Sequence, residues 1–294
     1  MRKILLVLVV FFIQLQAQRK TESLRLAKYK IAVLSDRLAE NSGLDFFSGR
    51  LFTFNDSGNS ADLFEINPQN GDLQVIYKTN LQNKDWEALA NDGQHFYIGD
   101  FGNNAGTRKD LTIYKLPFVN DSLKMDSLKS IRFFYPEQKD FRPRNISQNF
   151  DAESMIFLKN QLHVFTKEWA TNTISHYLIN PESTGDQPAE KLETYDLGFV
   201  ATDVAYYSEK LYVVGYTKKA GVFLSVFQED ENGFFFAKPT KKYALGSAPR
   251  IGQVEGIAAN EKGLYFSSEH FNFKIFDVPQ SLYFVPWEKV NAAP

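Results

Sequence analysis

Four acidic residues and one hydroxyl recur in the same local phrase: Ser42 in ENSGLDFF, Glu87 in DWEALAND, Glu153 in DAESMIFL, Asp203 in TDVAYYSE and Glu255 in VEGIAANE. Each stands beside a small residue and ahead of a short apolar run. If the phrases pack side by side around an axis, Glu87, Glu153, Asp203 and Glu255 form one level of a ring. Uncompensated carboxylates at that spacing would raise one another's pKa, so a bound cation is the economical way to hold them together. Oxygen donors in a chain without cysteine point to a hard ion, and Ca²⁺, which accepts six to eight loosely arranged oxygens, suits flexible side chains better than Mg²⁺. Two structural readings stand beside this one: the carboxylates could cap backbone N–H groups at strand starts, or pair with Lys and Arg.

A second acidic set, Asp56, Asp100 and Glu269, falls at the ends of the next apolar runs, where the third and fourth phrases offer Lys167, Glu168 and Tyr216. These residues are expected at a channel mouth as a rim for a small ligand, although Asp before Gly or Ser is also ordinary turn chemistry. Of the four histidines, His270 alone stands where a channel mouth could use it as a general base. The DFG triplet at 100–102 has no glycine-rich phosphate loop or His-Arg-Asp loop to accompany it, DSGNSAD lacks the spacing of an EF-hand, and neither Gly-x-Ser-x-Gly nor His-Glu-x-x-His occurs.

The elements that would position these groups follow from the repeat. Each phrase reads as a β-hairpin, and each is followed by further alternating segments: DLFEIN and LQVIYK after the first, LTIYKL and IRFFYP after the second, TISHYLI and LETYDL after the third, VFLSVF and KKYALG after the fourth. After the fifth, FKIFDV (273–278) and SLYFVP (281–286) are the expected third and fourth strands. Four short antiparallel strands repeated five times describe an all-β chain folded as a five-bladed β-propeller. A surplus strand at 26–35 is expected to close the ring by pairing with the last blade. A six-bladed ring is the alternative, if the insert 117–150 conceals a blade. That insert and segment 180–191 otherwise read as surface loops, and residues 18–294 as one domain.

Composition agrees: 27 Phe and 14 Tyr against 3 Met favour strands. A net charge of −2 offers no broad basic field for nucleic acid. Residues 1–17, MRKILLVLVVFFIQLQA, have the layout of a cleaved secretory signal, with an apolar run about half the ~20 residues that span a bilayer. The expectation is a monomeric periplasmic or secreted protein with no membrane span after cleavage.

The phrases SGLDFFSGRLFTFNDSGNSADLFEIN, DWEALANDGQHFYIGDFGN and VEGIAANEKGLYFSSE together resemble the exported bacterial propellers grouped as SdiA-regulated proteins. They are more distantly similar to the esterase-like phytase, strictosidine synthase and gluconolactonase propellers. The first resemblance implies a five-bladed ring and export; the second implies a divalent ion in the channel. Two functions follow: a binding or scaffold module for a small ligand, polymer or surface protein, or a metal-dependent hydrolase of an ester, lactone or phosphoester. Lactonase-like propellers supply Glu, Asn and Asp ligands at blade starts. This chain offers no clear Asn among Glu87, Glu153, Asp203 and Glu255, which favours the binding module.

Overall fold

A computed structural model describes residues 21–290 except Lys238, with backbone alone for Pro239 and Thr240. The expected signal segment 1–17 lies outside the described residues. Five sheets, antiparallel except for a short parallel edge strand on two of them, form five blades. Blade I comprises Asn41–Phe47, Arg50–Asn55, Asp62–Ile66 and Leu73–Lys78; blade II comprises Trp86–Asn91, His95–Asp100, Thr112–Pro117 and Lys129–Phe134. Blade III comprises Ala152–Leu158, Gln161–Thr166, Thr173–Ile179 and Glu190–Asp196; blade IV comprises Val200–Tyr207, Lys210–Tyr216, Gly221–Gln228 and Pro239–Ser247. The insert 117–150 supplies the outer strand of blade II and a short 3₁₀ turn, Met125–Ser127, so no sixth blade is concealed there.

Blade V departs from the expected assignment. Its strands are Gln253–Asn260, Gly263–Glu269, Ser281–Pro286 and, from the other end of the described chain, Lys30–Val33. SLYFVP is therefore the third strand, not the fourth. FKIFDV belongs instead to a separate hairpin, Phe271–Phe273 with Phe276–Val278, that stands off the sheet with Ile275 89% exposed. Apolar alternation in 273–278 matches that of a true blade strand, so pattern alone does not separate them.

The inner strands of neighbouring blades pack against one another in sequence, and that of blade V packs against that of blade I. Between successive blades lie five apolar clusters, each fed by two blades. Neither face of a lone blade could be buried without its neighbours, which is why the sequence must repeat before it can fold. The chain before blade I acts as a clasp. Glu22–Ser23 pairs in parallel with the outer strand of blade IV, Leu24 and Leu26 enter the core between blades IV and V, and Lys30–Val33 completes blade V as anticipated.

Turns between first and second strands explain the tight hairpins. Ser48 and Gly49, Lys159 and Asn160, and Ser208 and Glu209 all have positive φ, as two-residue turns matching strand twist require. At their opposite ends all five inner strands carry a β-bulge at the same place, skipping Gly43, Glu87, Glu153, Thr202 and Glu255 in the ladder. A bulge re-aims one side chain. Here it does so once per blade.

Candidate functional site

The bulges set the true register of the ring. Glu87, Glu153 and Glu255 are equivalent, as the sequence suggested, but their counterparts in blades I and IV are Gly43 and Thr202, each one residue from the expected Ser42 and Asp203. Asp203 is thereby directed elsewhere. Its carboxylate accepts backbone N–H bonds from Val204 at 2.8 Å, from Ile257 at 2.7 Å and from Leu44, tying together blades IV, V and I. For this residue the capping role is the one realised.

Around the three bulge glutamates gather Asp56, Asp85, Asp151 and Glu269, making an acidic basin at one end of the channel. One ammonium stands inside it. Lys167 Nζ lies 3.0 Å from Glu153 Oε2, with both side chains almost wholly buried. Burial works against the lysine's charge, yet Glu153, Tyr216, Glu255 and Glu87 together hold its pKa well above the usual value. The carboxyls respond oppositely, because burial and mutual repulsion both disfavour ionisation. Asp85 is pushed up to about 6 and Asp151 to about 7, and Glu87 and Glu153 are also raised, all chiefly by burial. Two oxygens deep in the basin, Asp151 Oδ2 and Glu153 Oε1, have no hydrogen-bond partner among the described residues.

Within the basin, Asp56, Asp85 and Glu87 each present an oxygen within 4.8 Å of the others. Asp85 and Glu87 lie over Gly102: a Cβ there would sit 2.5 Å from both Asp85 Oδ2 and Glu87 Oε1. The missing side chain thus makes a cradle for the two carboxylates. Glu87 accepts no side-chain hydrogen bond among the described residues, whereas Asp56 is held by the Ser57 N–H and Asp85 by the Ser57 hydroxyl. Three convergent carboxylates, one of them without a side-chain hydrogen bond among the described residues, are a donor set suited to a hard divalent cation.

Of the expected rim, Asp56 and Glu269 reach the basin. Asp100 does not; it is buried beneath and paired with Arg108 at 2.9 Å, while Arg108 also donates to the Gly102 carbonyl at 3.0 Å and so supports the cradle from below. His270 points away, its Nε2 2.5 Å from Asp277 Oδ1 across the outlying hairpin. Asp85 and Asp151 are residues the sequence reading did not assign, and Lys167 was named only as what the third phrase offers at the rim. Asp85 stands two before Glu87, and Asp151 repeats that spacing before Glu153, so the pairs DWE and DAE carried the signal.

The far part of the channel is different in kind. A cavity of about 150 Å³ there is lined mainly by apolar inner-strand residues around Asp45 and Asn91. Asp45 accepts from Asn91 Nδ2 at 2.6 Å and from its neighbour Phe46 N at 2.8 Å, yet burial pushes its pKa up to about 7. Unfolded, the same group titrates near ~3.9. The native state therefore loses stability as pH rises from about 4 to about 7, because the unfolded chain releases a proton that the folded one retains. Asp45→Asn should match the parent in urea unfolding at about pH 4 and exceed it at about pH 8. Equal differences at the two pH values would refute this.

No family model matches the chain, and no curated protein matches it. Similar solved structures include a hypothetical protein from Leishmania major, 12% identical, covering 88% of this chain and 91% of that one at a TM-score of 0.46. A "putative 6-phosphogluconolactonase" from Bacteroides uniformis is 12% identical, covering 87% and 86% at a TM-score of 0.40. The WD40 repeats of RRP9 are 11% identical, covering 84% and 67% at 0.42. Likeness this distant carries no chemistry from those proteins to this one, whose site must be argued from its own residues.

Proposed function

We propose that the protein is an exported binding or scaffold propeller that holds a divalent cation, Ca²⁺ in preference to Mg²⁺, on Asp56, Asp85 and Glu87. The observation that carries this reading is the convergence of the three carboxylates, two of them over Gly102, with Glu87 accepting no side-chain hydrogen bond among the described residues. Bound there, the cation would supply positive charge to an oxygen of a small ligand, polymer or surface protein. The resemblance to SdiA-regulated propellers and the signal-like first 17 residues support export to the periplasm or beyond. Among the described residues no helix is long and apolar enough to cross a membrane.

Hydrolysis of an ester, lactone or phosphoester would need a proton-moving group beside the triad. His270 is committed to Asp277 on a hairpin outside the blade, so that role would fall to a carboxyl of the basin such as Asp151, whose pKa is pushed up to about 7.

Thermal melting with EDTA and with added Ca²⁺ tests the cation. A site seen only by the folded ring should raise stability by about 2.7 kcal/mol when Ca²⁺ is present at ~100 times its dissociation constant. Asp85→Asn with Glu87→Gln should abolish the response. Indifference of the parent to both reagents, or a response that survives the double substitution, would defeat the assignment.

A further inference from the structure

The hairpin of Phe271–Phe273 with Phe276–Val278 leaves blade V between its second and third strands, and its base is fastened while its tip is not. At the base, His270 N donates to the Ala39 carbonyl at 2.8 Å, and the His270 ring bonds Asp277. The tip consists of Phe273 and Phe276, paired directly across the two strands, with Lys274 and Ile275 as the turn between them. Phe273, Ile275 and Phe276 are 54%, 89% and 42% exposed. A lone exposed Ile needs no account, but three large apolar side chains contiguous on a projecting turn mark a contact surface.

What surrounds the tip identifies the contact. The helical turn Ala248–Ile251 packs against both hairpin strands, and Ala248 N donates to the Ala220 carbonyl at 2.9 Å, so loop 217–220, this turn and the hairpin form one strip of surface across blades IV and V. Segments 217–220, 247–252 and 271–276 contain no acidic residue. Five exposed cations lie along the strip: Lys218 and Lys219, Arg250 with Arg25 beside one cavity, and Lys274 at the tip itself. None of the five has an ion pair among the described residues. Glu87, Glu153 and Glu255 of the basin are buried in the channel, whereas these cations all face water. Exposed apolar side chains beside unpaired cations suit anionic lipid, where the first enter the headgroup layer and the second meet phosphate. A protein partner fits less well, since an ordinary specific interface takes about 800 Å² from each side and the tip is a single turn.

We propose that the hairpin tip and the cations beside it dock the propeller peripherally on a membrane surface rich in anionic phospholipid, with Phe273, Ile275 and Phe276 entering the headgroup layer. The docking does not rest on the triad's holding a metal.

Vesicle flotation in EDTA tests this, with the chain from Gln18 onward so that the apolar run of the expected signal cannot supply the binding. The protein should float with phosphatidylcholine vesicles containing about a quarter phosphatidylglycerol and stay behind with phosphatidylcholine alone, and raising salt from about 0.1 M to about 1 M should release most of it. Ile275→Asp, at a position too exposed to bear on folding, should lower the partition about tenfold. Lys218→Glu with Arg250→Glu should do the same on anionic vesicles, and both variants should melt with the parent. Failure to float, flotation that requires Ca²⁺, equal flotation on the neutral vesicles or full binding by Ile275→Asp would each overturn the proposal. A dimer in sedimentation that Ile275→Asp dissolves would also overturn it, since a second copy would then cover the tip. Flotation in EDTA by a protein whose melting ignores Ca²⁺ would uphold the docking and sink the triad; a Ca²⁺ response without flotation would do the opposite.

Discussion

Lys167→Met should destabilise the ring by about 3–5 kcal/mol, the loss expected when one partner of a buried ion pair is removed and the other is stranded. The lysine meets Glu153 directly and draws further on Glu87 and Glu255, so its removal leaves three bulge carboxyls facing one another with no ammonium between them. The companion substitution identifies the cause. If the loss comes from the stranded charge of Glu153, then Lys167→Met with Glu153→Gln should recover a large part of it, and the double-mutant cycle should show strong coupling. Urea unfolding of the four proteins measures this. Additive losses would mean that Lys167 stabilises through the packing of its stem against Trp169 and Tyr216 instead.

The second large effect concerns the clasp. Deleting residues 21–35 removes Leu24, Leu26 and Leu34, which are 6%, 0% and 2% exposed, together with the outer strand of blade V. Burial of each such side chain stabilises by about 1.5–3 kcal/mol, and the strand's backbone partners in Ser281–Pro286 would be left bare. That loss approaches the whole stability of an ordinary domain, about 5–15 kcal/mol. The truncated chain is expected to aggregate through the uncovered edge. Joining 21–35 after Val290 by a flexible linker should restore a monomer with a cooperative melt, since the strand and its partner are then both present. Size-exclusion chromatography and melting of both variants decide it. A truncated protein that stays monomeric and melts with the parent would show that the strand is dispensable.

Much of this architecture is legible in the sequence because a blade hairpin is a local event. Turn residues such as Ser48-Gly49 and the alternation on either side of them fix both strands within about ten to fifteen residues. What the sequence could not settle was register by one. Thr202 and Asp203 are adjacent, and the bulge decides which faces the basin; an acidic residue beside a hydroxyl gives no sign that the hydroxyl is the equivalent of Glu87. The central place of Lys167, which the sequence offered only as a rim residue, was hidden for a different reason. Lys167 directly follows the second strand of blade III, and its counterparts in the other blades are Asn55, Phe101, Tyr216 and Glu269, so its meaning appears only when the five strand ends are seen together. The outlying hairpin misled because exposed Phe273, Ile275 and Phe276 mimic a buried strand. The search for repeats thus found the frame, while the centre of the basin depended on contacts between repeats.

The clasp also sets an order of events. Gln280 Nε2 donates to the Leu34 carbonyl across a separation of 246 residues, so the segment made early is used at the very end. Contacts this distant in sequence slow folding, since the intervening chain must be gathered before they can form. Until blade V emerges, the clasp has only the outer edge of blade IV to meet, and the core between blades IV and V remains open to water. A nascent chain therefore carries an unpaired strand until its synthesis is nearly finished, and needs either rapid release or a chaperone that covers edges. The same arrangement benefits the finished protein: with both ends of the ring fastened in one sheet, fraying from either end has to break the same few strand pairings, so the weakest seam is also the one joined twice.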